Sequence, residues 1–235
     1  MRMNENVRLI GILVLAMLVL ASVQAVGAET TQTWYLTSDD KPSEAPTASD
    51  GLSPAKNNLM HKDEWAGTKE SFYLTPAKPA AWFYADTGAE CDLGFGEHSW
   101  KAYIRMEEIK IGDEAGTHLK VSVCKLDTGG SVTVLAEDTI ELTVASAYTL
   151  WEIICEDMDG LQDFNAGDWL AVRLWWIDAP EGERLYIYYQ AATDRDSYIE
   201  SPSSDPGYPV PELSTFILFS TGLIALVGYV LLRRK

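Results

Sequence analysis

The sequence predicts an all-β fold, an antiparallel β-sandwich of about ten strands and jelly-roll-like in strand number. Three observations lead there. Short runs rich in Val, Ile, Tyr, Trp and Thr alternate apolar and polar residues with period two, the mark of half-buried strands. Gly, Pro, Asn and Asp breakers separate those runs. No stretch between the two chain ends carries a convincing amphipathic helical repeat over 12 residues.

The N-terminus comes first. Arg2 and Arg8 precede an apolar run of 13 residues, 9–21, and then Ser22, Val23, Gln24 and Ala25. A charged start, a short apolar stretch and small residues form a secretory signal peptide over residues 1–28, with cleavage after Ala25 or Ala28. Thirteen apolar residues fall short of the roughly 20 that a spanning helix needs. An uncleaved N-terminal anchor is the other reading, and either one exports the rest of the chain.

Residues 29–200 form the expected sandwich. The first strand is read at 34–37. Residues 38–58, with Pro42, Pro46 and Pro54 among Ser, Ala and Asp, read as a long flexible loop. Short strands are expected at 71–75 and 81–85. Residues 100–107 alternate through Ala102, Ile104 and Met106. Leu119, Val121 and Val123 form the next stripe. Asp127-Thr128-Gly129-Gly130 then reads as a tight hairpin turn into 132–135. Ile140, Leu142 and Val144 form another stripe, followed by 150–155. Leu170, Val172, Leu174 and Trp176 alternate, as do Leu185, Ile187 and Tyr189, and a last strand is read at 197–200. Residues 201–210, rich in Pro and Ser, read as a short stalk.

The C-terminus carries 17 uncharged residues, 216–232, then Arg233, Arg234 and Lys235. Seventeen is the lower limit for a membrane-spanning helix. The basic stop belongs on the cytoplasmic side, as do Arg2 and Arg8, which leaves the middle of the chain outside. Just before the span stand Pro211, Glu212 and Leu213. A Pro-Glu pair, a short span and a basic cluster at the end of an exported chain resemble the sorting signals called PEP-CTERM in bacteria and PEF-CTERM in archaea. That resemblance covers residues 211–235 and implies a sorting protease, an exosortase or archaeosortase, cutting near Pro211-Glu212. Leu213 departs from it, since the bacterial form has Pro there and the archaeal form Phe. A plain tail anchor is the alternative, and both tether the protein at the cell surface.

Charge limits the function classes. The chain holds 18 basic and 35 acidic residues, a net of −17. Residues 29–210 alone carry 13 basic and 33 acidic side chains, a net of −20. Phosphate backbones need clustered Lys and Arg, so nucleic acid is not an expected partner. His61, His98 and His118 lack a second His or Cys at zinc-ligand spacing. Of the three Cys, Cys124 and Cys155 lie in predicted strands and are open to pairing in an exported protein. No nucleophile elbow, Ser-x-x-Lys set with supporting elements or phosphate-cradling Gly loop is present.

Two constellations remain. Asp157, Asp159 and Asp163, with Gly160 at the bend and Asp168 beyond, offer carboxylates for a structural calcium ion. No Glu stands at the twelfth position, and a solvated acidic loop explains the same residues. Trp169, Trp175, Tyr186 and Tyr188 offer an outward aromatic row for the apolar faces of sugar rings. Packing under a loop or partner is the competing account. The expected function is thus a non-enzymatic surface module in adhesion, envelope or matrix structure. The alternatives are a carbohydrate-binding surface protein that takes an extracellular polysaccharide, and a surface glycoside hydrolase. No cofactor is expected beyond the calcium ion.

Overall fold

The ladder of strand pairings closes on itself. The computed structural model describes residues 31–62, 70–95, 99–109, 117–142, 149–158, 163–189, 197–202 and 208. Strands β1 (Thr33–Asp40), β2 (Pro54–His61), β3 (Glu70–Leu74) and β4 (Ala80–Ala85) come first. Then follow β5 (Leu93–Gly94), β6 (Trp100–Ile109), β7 (His118–Leu126), β8 (Val132–Glu141) and β9 (Thr149–Asp157). Last come β10 (Asp163–Phe164), β11 (Trp169–Ile177), β12 (Arg184–Tyr189) and β13 (Tyr198–Glu200). The order around the ring is β13-β1-β2-β4-β11-β7-β8-β9-β6, and β6 pairs back to β13. These nine strands make a closed β-barrel.

The expectation of a jelly-roll sandwich is therefore corrected. A sandwich is two sheets with free edges. Here β13 bonds β1 through Tyr35↔Tyr198 and β6 through Tyr198↔Tyr103, which removes both edges. The ten-residue β6 divides one side between two partners. Its first half meets β13 and its second half, Arg105 to Ile109, meets β12. Strand β12 carries β3 in turn, so these two form a flap branching from the barrel. Only the β2–β4 pair is parallel; the other ring pairings are antiparallel.

The alternating stripes point where the period places them. Ala102, Ile104 and Met106, Leu119, Val121 and Val123, and Leu170, Val172, Leu174 and Trp176 all enter one buried cluster with Trp34 and Trp100. Barrels of this size fill their interior with such side chains. The expected strand at 132–135 and the start of that at 140–144 join into the single strand β8, through Ala136–Thr139 to Glu141, and residues 143–144 lie outside the described residues. The turn between β7 and β8 forms as expected. Asp127 Oδ1 accepts from the Gly129 and Ser131 amides at 2.8 and 2.9 Å, and Gly130 takes a φ of 84°.

Two segments depart from their expected form. The flexible loop at 38–58 contains the end of β1 and most of β2, leaving residues 41–53 between strands. In the expected stalk, Ser201, Pro202 and Tyr208 are buried. Tyr208 lies among Trp34, Phe95 and Phe164 with ring centroids 5.7, 6.2 and 5.6 Å away. Its hydroxyl donates to Thr87 O at 2.9 Å and accepts from the Leu170 amide at 3.1 Å. The described part of this segment thus packs into the barrel. Among the described residues no helix is long and apolar enough to cross a membrane. The expected signal peptide, sorting motif, span and basic stop lie outside the described residues.

Candidate functional site

Two outer faces of the barrel concentrate the chemistry. The first lies on β4, β11, β7 and β8. Strand β4 reads Ala-Ala-Trp-Phe-Tyr-Ala and is buried on both sides. Phe83 points into the barrel, while Trp82 and Tyr84 point outward into a second cluster with Cys124, Leu126, Trp169, Ala171 and Ala45. Ala45 belongs to residues 41–53, which lie over this face as a strap. Burial pushes the Tyr84 phenol up to about 12; the Ala48 amide opposes that and the Asp50 carboxylate adds to it. Burial likewise raises the Cys124 thiol to about 12, against the pull of Arg173.

Arg173 stands at the centre of that face. Its guanidinium carbon is 5.6 Å from the ring centres of both Trp82 and Trp175. Its Nη1 meets Asp50 Oδ2 at 3.4 Å and its Nη2 donates to Ser122 Oγ at 3.1 Å. Ser122 donates to Glu137 Oε2 at 3.3 Å, and Lys120 pairs with Glu137 at 2.6 Å. A hydroxyl between a carboxylate and two cations has the composition of a nucleophile site. Ser122 is fully buried, however, and its hydroxyl is committed to Arg173 and Glu137. It bridges Arg173 and Glu137 within the wall, away from solvent.

The second face is open. Register places Glu152, Tyr103, Tyr198, Tyr35 and His61 side by side across β9, β6, β13, β1 and β2. Tyr103 and Tyr198 stack with centroids 4.6 Å apart, and Tyr198 and Tyr35 tilt together at 5.8 Å. All three rings are half-buried. Tyr103 donates to Glu152 Oε1 at 3.3 Å, and Lys101 lies 3.9 Å from the same oxygen. His61 approaches Asp39 to 3.6 Å at the far end. Desolvation, then the Glu200 and Glu152 carboxylates, push the Tyr103 phenol up to about 12. The Tyr198 phenol is raised by desolvation and Glu200. Both stay protonated at neutral pH, and Tyr103 acts as a hydrogen-bond donor. Stacked rings turn their faces to one another, so this row presents rims and hydroxyls, which suit a polar ligand.

The residues expected from the sequence fall elsewhere. Trp169 and Trp175 share a face with Arg173, as alternation requires, but Trp169 is buried under neighbouring chain. Tyr186 and Tyr188 sit on the flap strand β12, which pairs with β6 and β3 and not with β11. The four therefore make no common row. Tyr186 packs on the exposed Tyr73 at 5.5 Å, and the Tyr188 hydroxyl bonds Glu107.

For calcium, Asp157 ends β9, Asp163 begins β10 and Asp159 lies outside the described residues. Asp168 accepts from the Asn165 amide at 2.8 Å and lies 3.9 Å from Lys125. Among the described residues no three His, Cys, Asp or Glu side chains gather as a metal site. Cys124 faces the strap-covered layer and Cys155 the barrel interior, so the two thiols remain unpaired. The tyrosine row escaped the sequence reading because its members come from three strands. The signal within each was one outward Tyr per strand.

No family model matches the chain, and no curated protein sequence matches it. Solved structures do. An aminopeptidase from a marine-sediment Thaumarchaeota archaeon matches with a TM-score of 0.51 at 10% identity, over 73% of this chain and 36% of that one. A CocE/NonD family hydrolase from Staphylococcus aureus matches with a TM-score of 0.45 at 12% identity, over 72% of this chain and 41% of that one. The chain spans about a third of the length of the aminopeptidase. The likeness is one of fold. It corrects the expectation of a non-enzymatic module of adhesion, envelope or matrix, and with it the assignment of the chain as not an enzyme. The barrel is shared with part of the aminopeptidase.

Proposed function

We propose that this chain serves hydrolysis on the outer side of the membrane, as the barrel that holds substrate for a hydrolase. The observation that carries the reading is the match of the barrel to part of an aminopeptidase. The open row of Tyr103, Tyr198 and Tyr35 supplies the contact surface, with phenol donors and the Glu152 carboxylate to fix a polar chain. Its place outside the cytoplasm rests on the signal peptide at 1–28 and the basic-capped apolar run at 216–232. Tethering there, with trimming near Pro211-Glu212 by a sorting protease, follows from the same end.

The test is co-purification. Tagged full-length chain, drawn from its native membranes, is assayed on a panel of peptide, amide and ester substrates. Hydrolysis should exceed that of an untagged control. Tyr103→Ala and Tyr198→Ala should raise KM several-fold and leave kcat within about twofold, the sign of lost binding shared by ground and transition states. No activity above the control on any substrate class refutes the reading.

A further inference from the structure

The strap at residues 41–53 covers an aromatic and cationic face with small and acidic side chains. Beneath it lie Trp82, Tyr84, Trp169 and Arg173, all more than nine-tenths buried. Against them the strap sets two alanines, Ala45 and Ala48, and one carboxylate, Asp50. Two prolines, three serines and one threonine make up much of the rest. Its contacts are of the three kinds by which proteins hold extended peptides. Small side chains sit on an aromatic floor. Main-chain groups are bonded by the barrel: Tyr84 Oη accepts from the Ala48 amide at 3.4 Å, and Gly130 O accepts from the Ser49 amide at 3.0 Å. A buried cation meets an acidic side chain, Arg173 with Asp50 at 3.4 Å. Aromatic grooves that take Pro-rich extended chains use the same elements.

The arginine is under-used by its partner. Asp50 reaches Nη1 alone, where a carboxylate aligned with the fork of the guanidinium would take two bonds. The Arg173 Nε is buried and has no hydrogen-bond partner among the described residues. A buried donor left unmade is costly, and a ligand that approaches Nε and Nη together removes that cost. The strap's bonds to the barrel lie outside the barrel's own strand ladder. The strap is anchored by β1 and β2 at its ends, and between them the barrel holds it by a few bonds, chiefly at the β7–β8 turn.

We propose that the face formed by Trp82, Tyr84, Trp175 and Arg173 is a peptide-binding site that the strap occupies as a resident competitor. Its ligand is an extended segment of small residues and proline that carries a carboxylate to Arg173. This site is separate from the tyrosine row and goes beyond the hydrolase reading, and it stands whether or not that reading holds.

The experiment uses the full-length chain in detergent micelles and a labelled synthetic peptide with the sequence of residues 41–53. Closure by the strap reduces apparent affinity by the fraction of open molecules. Asp50→Ala loosens the strap and should tighten peptide binding by about tenfold or more over the wild type. Gly130→Ala is the second route, because a Cβ there would stand 2.3 Å from Thr47 O and displace the strap. Adding Arg173→Ala to either variant, or replacing the peptide's aspartate with alanine, should weaken binding about tenfold. In the wild type, excess peptide should speed hydrogen exchange at the Ala48 and Ser49 amides. The inference is overturned if natively folded variants bind no tighter than the wild type, or if the Arg173 substitution leaves binding unchanged. Should both variants misfold, unchanged exchange at those amides under saturating peptide overturns it by itself.

Discussion

Replacing Tyr208 tests how far the barrel depends on the chain beyond its last strand. The residue follows β13 by eight positions, yet its side chain is fully buried. Tyr208→Phe keeps the ring and removes the hydroxyl, which leaves the Leu170 amide and Thr87 carbonyl without that partner. An unmade buried group costs about 1–3 kcal/mol. Tyr208→Ala also removes the ring from among Trp34, Phe95 and Phe164. Aromatic-to-alanine changes in cores cost about 3–5 kcal/mol. Together these approach the ~5–15 kcal/mol of a whole domain. With a urea slope of about 2 kcal/mol per molar, the alanine variant should unfold about 2–4 M earlier and the phenylalanine variant about 1 M earlier. Tryptophan fluorescence is the readout, since Trp34 packs on the replaced ring. An alanine variant within about 1 kcal/mol of the wild type would refute the account, for it would mean that the segment rests on the barrel without supporting it.

Three further outcomes are expected. Alkali should destabilise the domain. Burial raises the Cys124 and Cys155 thiols from 9 to about 12 and the Tyr84 and Tyr189 phenols from 10 to about 12. The folded state then holds more protons than the unfolded one between about pH 9 and 12, so stability is full below pH 9 and falls as pH rises. Urea midpoints that stay level from pH 8 to 11 would contradict this. Asp168→Ala should lose about 1–3 kcal/mol, because the buried carboxylate holds the Asn165 amide at the turn into β11; thermal melts check it. Mass spectrometry of the mature chain should find a C-terminus near Pro211-Glu212, whereas a mature population ending at Lys235 would leave a plain tail anchor.

Much of the local structure was legible. Period-two stripes placed the inward faces of β6, β7, β11 and β12, because alternation is fixed by the pleat of each strand. The β7–β8 turn was legible in Asp127 and Gly130, whose carboxylate and positive φ are local requirements. Strand β2 was not, since Pro54 to Asn58 offers no apolar stripe and is organised by parallel pairing with β4. The candidate faces were legible only in part. Alternation put Trp169, Arg173 and Trp175 on one side of β11, but what covers that side lies in residues 41–53, far off in the chain.

The sequence by itself determined an all-β chain with its inward residues and its acidity, for these rest on period and composition. Only the tertiary structure decided that the sheet closes, because closure depends on β13 meeting β1 and β6 across spans of about 160 and 95 residues that no local pattern encodes. The same long-range pairing sets Tyr103, Tyr198 and Tyr35 in one row and folds the strap over Arg173. Side-chain direction is a local property of the chain, whereas neighbourhood is a property of the closed barrel.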